Sequence, residues 1–260
     1  MIGRSLTGHY YREDYEPSRE EQVVFDIKDI SYGDKLQNIS FQLYKGEILG
    51  IGGLTESGMH ELCKIMFGAL KPDKGEVIVE SNGKKIISTS SAIENKVAYI
   101  PKDRDQESLL LNASIKDNIV LPSLDKLKTI GLINKKKVKK MADENAEKLS
   151  TKMRDSEQLV RELSGGNKQK VVVAKWLAND SDILLMDCPT RGIDIGVKAN
   201  IYALMEELKA KGKSIIMISE EMPELIGMSD RIIVLKDGKI TGEVERSHDL
   251  TEQNLISMII

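Results

Sequence analysis

The chain has 260 residues, 40% of them hydrophobic, which is enough for one large domain or two small ones with a full core. Aromatic residues make up only 4%, so the core must be mainly aliphatic, and a net charge of −3 leaves no basic surplus for a general grip on nucleic acid. The two cysteines, Cys63 and Cys188, follow no metal-ligand spacing, and no signal peptide or apolar run of transmembrane length is present, so a reduced, cytosolic chain is expected.

Residues 1–21, with Gly3, Gly8, Pro17 and many charges, read as a tail or linker. Strands are predicted over Val23–Ile27 and Leu36–Leu43 around a turn at Gly33, then a buried strand over Glu47–Gly53 running into a Gly-rich turn and a helix over Gly58–Phe67. Strands at Glu76–Glu80 and Lys85–Ser88 flank Asn82-Gly83, a strong hairpin signal, and Val97–Ile100 is a short strand. From Asp103 to Glu162 the sequence turns charged and helix-rich, with helices at Ser114–Val120 and Asn134–Ser150. The run Lys135–Lys140 is followed on the same helix by Asp143, Glu144 and Glu147, which makes it a solvated face rather than a nucleic-acid patch. Alternation then resumes: helix Asn167–Ala178, strand Asp182–Met186, helix Val197–Lys211, strand Ser214–Ile218, helix Glu221–Met228. A hairpin follows, Arg231–Leu235 and Lys239–Glu243 across Asp237-Gly238, and Thr251 is expected to cap a final amphipathic helix. The pattern is α/β: a parallel core sheet, an antiparallel β layer and an inserted helical part.

Two stretches carry chemistry. Ser164-Gly165-Gly166-Asn167 turns onto a helix, which gathers unpaired N–H groups and the positive helix end into an anion site. One helix later Ile183–Met186 ends at Asp187, as a buried parallel strand does when it delivers a carboxylate at its carboxyl edge. Upstream, Gly53-Leu54-Thr55-Glu56-Ser57-Gly58-Met59-His60 keeps the glycine spacing of a phosphate-binding loop, G-x-x-x-x-G-K-[ST], but lacks its Lys and its Ser/Thr.

In this order the motifs resemble the ATP-binding-cassette (ABC) family, in which LSGGQ is the signature loop and the Asp-ended strand is Walker B. The resemblance covers nearly the whole chain. It implies a P-loop ABC ATPase fold: a linker or tail at 1–21, then a nucleotide-binding domain at 22–260 with a helical subdomain at about 103–162. Met1-Ile2-Gly3-Arg4, Asp103-Arg104, Lys175-Trp176-Leu177, Pro189-Thr190-Arg191-Gly192-Ile193-Asp194 and Met228-Ser229-Asp230-Arg231 are similar to the second half of the tandem ATPases of ribose- and galactose-type importers. By that resemblance Met1 starts within a longer polypeptide, and the partners are its first nucleotide-binding half and transmembrane permease subunits, at the inner face of the cell membrane, with no nucleic acid.

The same resemblance marks five departures. Met59 and His60 stand at the P-loop Lys and Ser/Thr positions, Lys102 at the Q-loop Gln, Cys188 at the catalytic Glu and Glu220 at the switch His. Glu56 replaces a usual Gly and would repel phosphate if it pointed inward. The implied role is a degenerate half that binds ATP and Mg²⁺ weakly or not at all and supplies Ser164–Asn167 to ATP held by its partner. Tyr32 stands where an aromatic stacks on adenine, or else packs between front strands. Asp194 belongs to the D-loop. His60, Asp187 and Cys188 have metal-ligand chemistry, with Asp187 the weak metal candidate, although a hydrogen bond from His60 to Asp187 or Glu220 is the expected outcome. A competent ATPase with an unorthodox P-loop and a soluble non-transport ABC protein are the other two readings.

Overall fold

The computed structural model describes residues 11–129 and 131–259. The linker-like Met1–Arg4 lies outside these residues. In chain order the elements are β1 (Val23–Tyr32), β2 (Leu36–Tyr44), β3 (Ile48–Gly53), α1 (Met59–Met66), β4 (Lys74–Val79), β5 (Lys84–Lys85), α2 (Thr89–Glu94) and β6 (Val97–Ile100). They are followed by α3 (Arg104–Glu107), α4 (Ile115–Val120), β7 (Lys128–Thr129), β8 (Leu132–Ile133), α5 (Lys135–Lys148) and α6 (Gly165–Ala178). The chain closes with β9 (Ile183–Asp187), α7 (Ile195–Ala210), β10 (Ser214–Ile218), α8 (Met222–Met228), β11 (Arg231–Lys236), β12 (Lys239–Glu245) and α9 (Glu252–Ile259).

The main sheet has the order β12-β11-β3-β10-β9-β6, parallel except for the β12 edge. Its central strands read Ile-Leu-Gly-Ile, Ile-Leu-Leu-Met and Ser-Ile-Ile-Met-Ile and are buried throughout, as strands covered by helices on both faces must be. Gly50 is small of necessity, because a Cβ there would lie 2.3 Å from Ser229 Oγ on the segment after α8. The second sheet, β2-β1-β4-β5, is antiparallel. The expected hairpin around Asn82-Gly83 forms, but its second strand is only Lys84–Lys85. Residues from Ser88 onward instead start α2, where the Ser88 and Ser91 side chains make a reciprocal capping box. Helices α4, α5 and α6 pack on one another as the helical layer. Thr251 precedes α9 but works in the reverse sense from the expected cap: the Asn254 carbonyl oxygen accepts from both the Thr251 N–H and its hydroxyl.

Residues 11–22 contain no regular element before β1, yet they are fastened to the body. Arg12 donates to Asp230 at 2.8 Å and to the Met228 carbonyl, and Arg246 donates to the Asp14 carbonyl. The Asp230 carboxylate is fully buried and also accepts from the Ser18 and Ile48 N–H groups and from Lys209. Burial pushes the Asp230 pKa up, but Lys209, the Ile48 N–H and Arg12 outweigh it and hold it below the usual range. Asp230→Ala would leave Lys209 without its carboxylate and Arg12 with only the exposed Asp14, and breaking a buried pair in this way costs about 3–5 kcal/mol. Urea unfolding of that variant beside the native chain is the measurement, with a loss of that size expected.

Candidate functional site at the carboxyl edge of the sheet

Parallel strands deliver functional groups at their carboxyl ends, and four of these ends meet here. After β3 the loop Leu54–Gly58 turns into α1 through Gly58, whose φ of 92° and closeness to the Lys35 carbonyl, 2.3 Å from where a Cβ would sit, admit only glycine. His60 stands in the first turn of α1, Lys102 follows β6, Asp187 ends β9 and Glu220 follows β10.

The side chains close on one another. His60 Nδ1 lies 2.7 Å from Asp187 Oδ1, and Lys102 Nζ lies 2.9 Å from His60 Nε2 and 2.8 Å from Glu220 Oε1. The Thr55 hydroxyl donates to the same Glu220 oxygen at 2.9 Å. An ammonium has no acceptor, so His60 Nε2 must accept from Lys102 and Nδ1–H must donate to Asp187. This is the neutral Nδ1–H tautomer. Burial disfavours a charged imidazole, but the Asp187 carboxylate outweighs it and the His60 pKa is raised. A second proton redirects Nε2–H to Glu220 Oε1, 3.5 Å away, while Lys102 keeps its bond to Glu220. The Lys102 hydrogen bond, reinforced by Thr55, brings the Glu220 pKa down to about 2. The expected His60–Asp187 hydrogen bond is therefore present, within a larger network.

The structure gives the directions of two loop side chains that the sequence leaves open. Glu56 does not point inward: its side chain is 84% exposed and paired with Lys35 at 3.0 Å, so the carboxylate in the pocket is that of Glu220. Met59 is fully buried in the core and offers the loop nothing. Leu54 and Thr55 are exposed, and Ser57 is buried. Tyr32, at the end of β1, is half-buried against the core. These side chains differ from those that hold phosphate and Mg²⁺ in a working loop. The pocket has no lysine from α1, the residue at the Mg²⁺-hydroxyl position is tied to Asp187, and two carboxylates face one ammonium.

Cys188 is held at φ 47° directly after β9, and burial pushes its thiol pKa up to about 12. A thiol that stays protonated in this way offers no negative charge beside Asp187. His60, Asp187 and Cys188 bring their donor atoms within 4.8 Å of one another. With the thiol protonated, Asp187 engaged by His60 and an ammonium alongside, the cluster makes a poor cation site.

The Ser164 turn is a separate place: among the described residues no hydrogen bond or ion pair joins Ser164–Asn167 to Gly53–His60. Ser164 is exposed at the start of α6 and makes no side-chain cap, and its hydroxyl accepts from Asn167 Nδ2 at 3.0 Å. Gly165 and Gly166 lie close to the Arg191–Val197 segment, and a Cβ on Gly166 would meet Val197 Cγ2 at 2.9 Å. Asp194 caps α7 by accepting from the Val197 N–H. Sequence reasoning missed the stitching between α6 and this segment. Buried Gln169 donates to the Pro189 carbonyl at 2.7 Å, Arg104 donates to the Arg191 carbonyl at 3.1 Å, and Lys168 pairs with Asp105 at 2.7 Å. Two of the acceptors are backbone carbonyls and each partner lies in a distant segment, so no local pattern marks these contacts.

Residues 36–191 match the family model described as ABC transporter. The chain is 42% identical over 254 residues to the "Ribose import ATP-binding protein RbsA" of Clostridium tetani, covering 97% of this chain and 50% of that protein. It is 39% identical over 246 residues to the "Putative ribose/galactose/methyl galactoside import ATP-binding protein" of Halalkalibacterium halodurans, covering 95% and 47% respectively. The chain thus spans about half the length of these curated relatives. Among solved structures it is similar to the dimeric ATP-binding cassette MJ0796 bound to ADP and Pi, with a TM-score of 0.74 and 25% identity over 85% of this chain and 98% of that one. The expected P-loop ABC ATPase fold, with its parallel core, antiparallel layer and helical part, is the fold found. The chain belongs to the ABC transporter family.

Proposed function

We propose that this chain is an ATP-binding-cassette half of a monosaccharide importer whose own nucleotide site is closed, and that it lends Ser164, Gly165, Gly166 and Asn167 to ATP held by a partner half. The observation that carries the proposal is the network Thr55–Glu220–Lys102–His60–Asp187. Three of the five departures from the working pattern, His60, Lys102 and Glu220, bond to one another where a terminal phosphate and its metal would lie. Substitutions that merely decayed would have no reason to pair. Cys188 removes the water-polarising carboxylate beside them.

The signature turn, by contrast, keeps its small residues, with Ser164 exposed and Gly165, Gly166 and Asn167 half-buried, and so leaves a low surface for another molecule to close on. The relatives' names support a sugar of the ribose or galactose type, and the dimer of the structural neighbour supports a paired arrangement. In this reading the partner half lies in the same polypeptide, permease subunits hold the pair at the inner face of the membrane, and the helical layer passes closure on to them. No helix among the described residues is long and apolar enough to cross a membrane itself.

A second reading, a competent ATPase whose backbone N–H groups alone carry the phosphates, is favoured by the intact Gly53–Gly58 turn and by the relatives' shared designation as ATP-binding proteins. Titration calorimetry of the isolated chain separates the two. No Mg²⁺-dependent heat is expected at micromolar ATP, whereas saturable micromolar binding that requires Mg²⁺ would establish the second reading. Phosphate alone at the turn would decide nothing, since any helix N-terminus attracts it.

A further inference from the structure

The start of α5 breaks the ordinary rule for helix charge. Its first turn is Lys135-Lys136-Lys137 with no acidic residue, so three cations sit at the positive end of the helix dipole. Farther along, Lys139 pairs with Asp143 at 2.7 Å and Lys140 with Glu144 at 3.8 Å, which is the solvated face expected from the sequence. Lys135, Lys136 and Lys137 have no ion pair among the described residues. Folding gains nothing from this placement, and the turn is held by Asn134, which caps the Lys136 and Lys137 N–H groups.

Immediately before this turn the β7–β8 hairpin presents two aliphatic side chains to solvent: Leu132 is 76% exposed and Ile133 49%. Gly131 at the turn has open space around it. Beside the hairpin, five lysines (Lys116 of α4 with Lys135, Lys136, Lys139 and Lys140) and two carboxylates, Asp143 and Glu157, line an open groove of about 530 Å³. Glu157 pairs with Lys116 and Asp143 with Lys139, which leaves the cations of the first turn to face an anion. The cluster therefore joins a projecting apolar tip to three lysines without an ion pair among the described residues, Lys135–Lys137, within a few residues of sequence. An aliphatic pair that enters the acyl boundary beneath cations that meet headgroups is the composition of an interfacial membrane contact.

We infer that the β7–β8 tip and the first turn of α5 form a docking surface for a bilayer of anionic phospholipid. Leu132 and Ile133 insert at the interface, and Lys135, Lys136 and Lys137 meet the phosphates. The lysines supply attraction that salt screens, while the aliphatic pair supplies a part that salt does not. The surface is independent of the nucleotide site, so the inference stands or falls apart from the function proposed above.

The test is co-sedimentation of the full chain with vesicles of phosphatidylcholine alone or mixed with phosphatidylglycerol. Partitioning should favour the anionic vesicles by at least about tenfold at low salt and fall when salt is raised. The triple variant Lys135→Glu, Lys136→Glu, Lys137→Glu should lose that preference while melting no lower than the native chain, because acids suit the helix N-terminus. Leu132→Ser with Ile133→Ser should remove the salt-resistant fraction and keep the preference for anionic lipid. Equal partitioning to both vesicle types, or a triple variant that binds like the native chain, would overturn the inference. So would stronger retention by double-stranded DNA than by the anionic vesicles, or competition by free glycerol phosphate at concentrations matching the lipid, since then the lysines would serve nucleic acid or a soluble anion.

Discussion

A transporter assembled with both ATP-binding halves and carrying Ser164→Arg in this chain is expected to lose nearly all transport-coupled ATP hydrolysis while the chain melts at its usual temperature. Ser164 is exposed, caps nothing and, among the described residues, has a side-chain hydrogen bond with the Asn167 amide alone, so an arginine there breaks no buried side-chain hydrogen bond. What it removes, in the proposed arrangement, is a positioned hydroxyl and the space in which the turn meets the partner's phosphates. Loss of one such donor lowers rate by about 10²–10³-fold, and the added bulk pushes toward the upper end.

The control is His60→Ala in the same chain, which dismantles the pocket network and leaves the buried Asp187 carboxylate without its hydrogen bond, at a cost in stability. It touches no nucleotide held across the pair, so hydrolysis should persist in protein that the melting curve shows to be folded. Met59→Ala is an unsuitable control, because that side chain is buried core and its truncation costs about 2–5 kcal/mol. Gly166→Asp is also ambiguous: its Cβ would press on Val197, so lost activity would mix a damaged fold with lost chemistry. ATPase rate and transport beside a melting curve are the readouts. Hydrolysis that survives Ser164→Arg but fails with His60→Ala would place the working nucleotide in this chain's own loop.

Strands and long helices were legible because periodicity and turn residues act locally. Gly58, Asn82-Gly83 and Asp237-Gly238 mark their turns without tertiary help, and β9 and β10 announce themselves as buried apolar runs. The β7–β8 hairpin and α2 were not legible. The first has two-residue strands, and the second is six residues opened by a Ser88–Ser91 exchange that reads as loop chemistry until the backbone is in place. Residues 11–22 show no periodicity because their order comes from Arg12 and Asp230, which are 218 positions apart.

At the site, each departure was visible through the resemblance to the family's motifs: Met59, His60, Lys102, Cys188 and Glu220 stand where those motifs have other residues. Their directions were not visible. Whether Glu56 faces phosphate or solvent depends on Lys35 across the β1–β2 turn, and whether Met59 lines the loop or the core depends on the packing of α1. The pairing of Lys102 with Glu220 and His60 needs three strand ends brought together, which no window of sequence contains.

That pairing can be dismantled in steps, and the steps have different expected results. In the isolated chain, Met59→Lys with His60→Thr restores the two P-loop groups but leaves the Glu220 carboxylate, whose pKa near 2 keeps it charged, held by Lys102 in the path of phosphate. Binding should therefore remain weak. Adding Lys102→Gln and Glu220→His removes the ammonium together with its carboxylate, so neither charge is left unpaired. The four-residue variant should then bind MgATP at about micromolar Kd, near −8 kcal/mol. The cost falls on the core: position 59 is fully buried, and a lysine there must swing out and leave unfilled space, so urea unfolding has to accompany calorimetry to show that the protein measured is folded. Turnover should stay absent even in the four-residue variant, because the Cys188 thiol, with a pKa pushed up to about 12 by burial, still occupies the position of the carboxylate that polarises water. If the two-residue variant bound MgATP as tightly as the four-residue one, the proposed closure would not rest on the Lys102–Glu220 pair, and the missing lysine of α1 alone would account for any weakness of binding in the native chain.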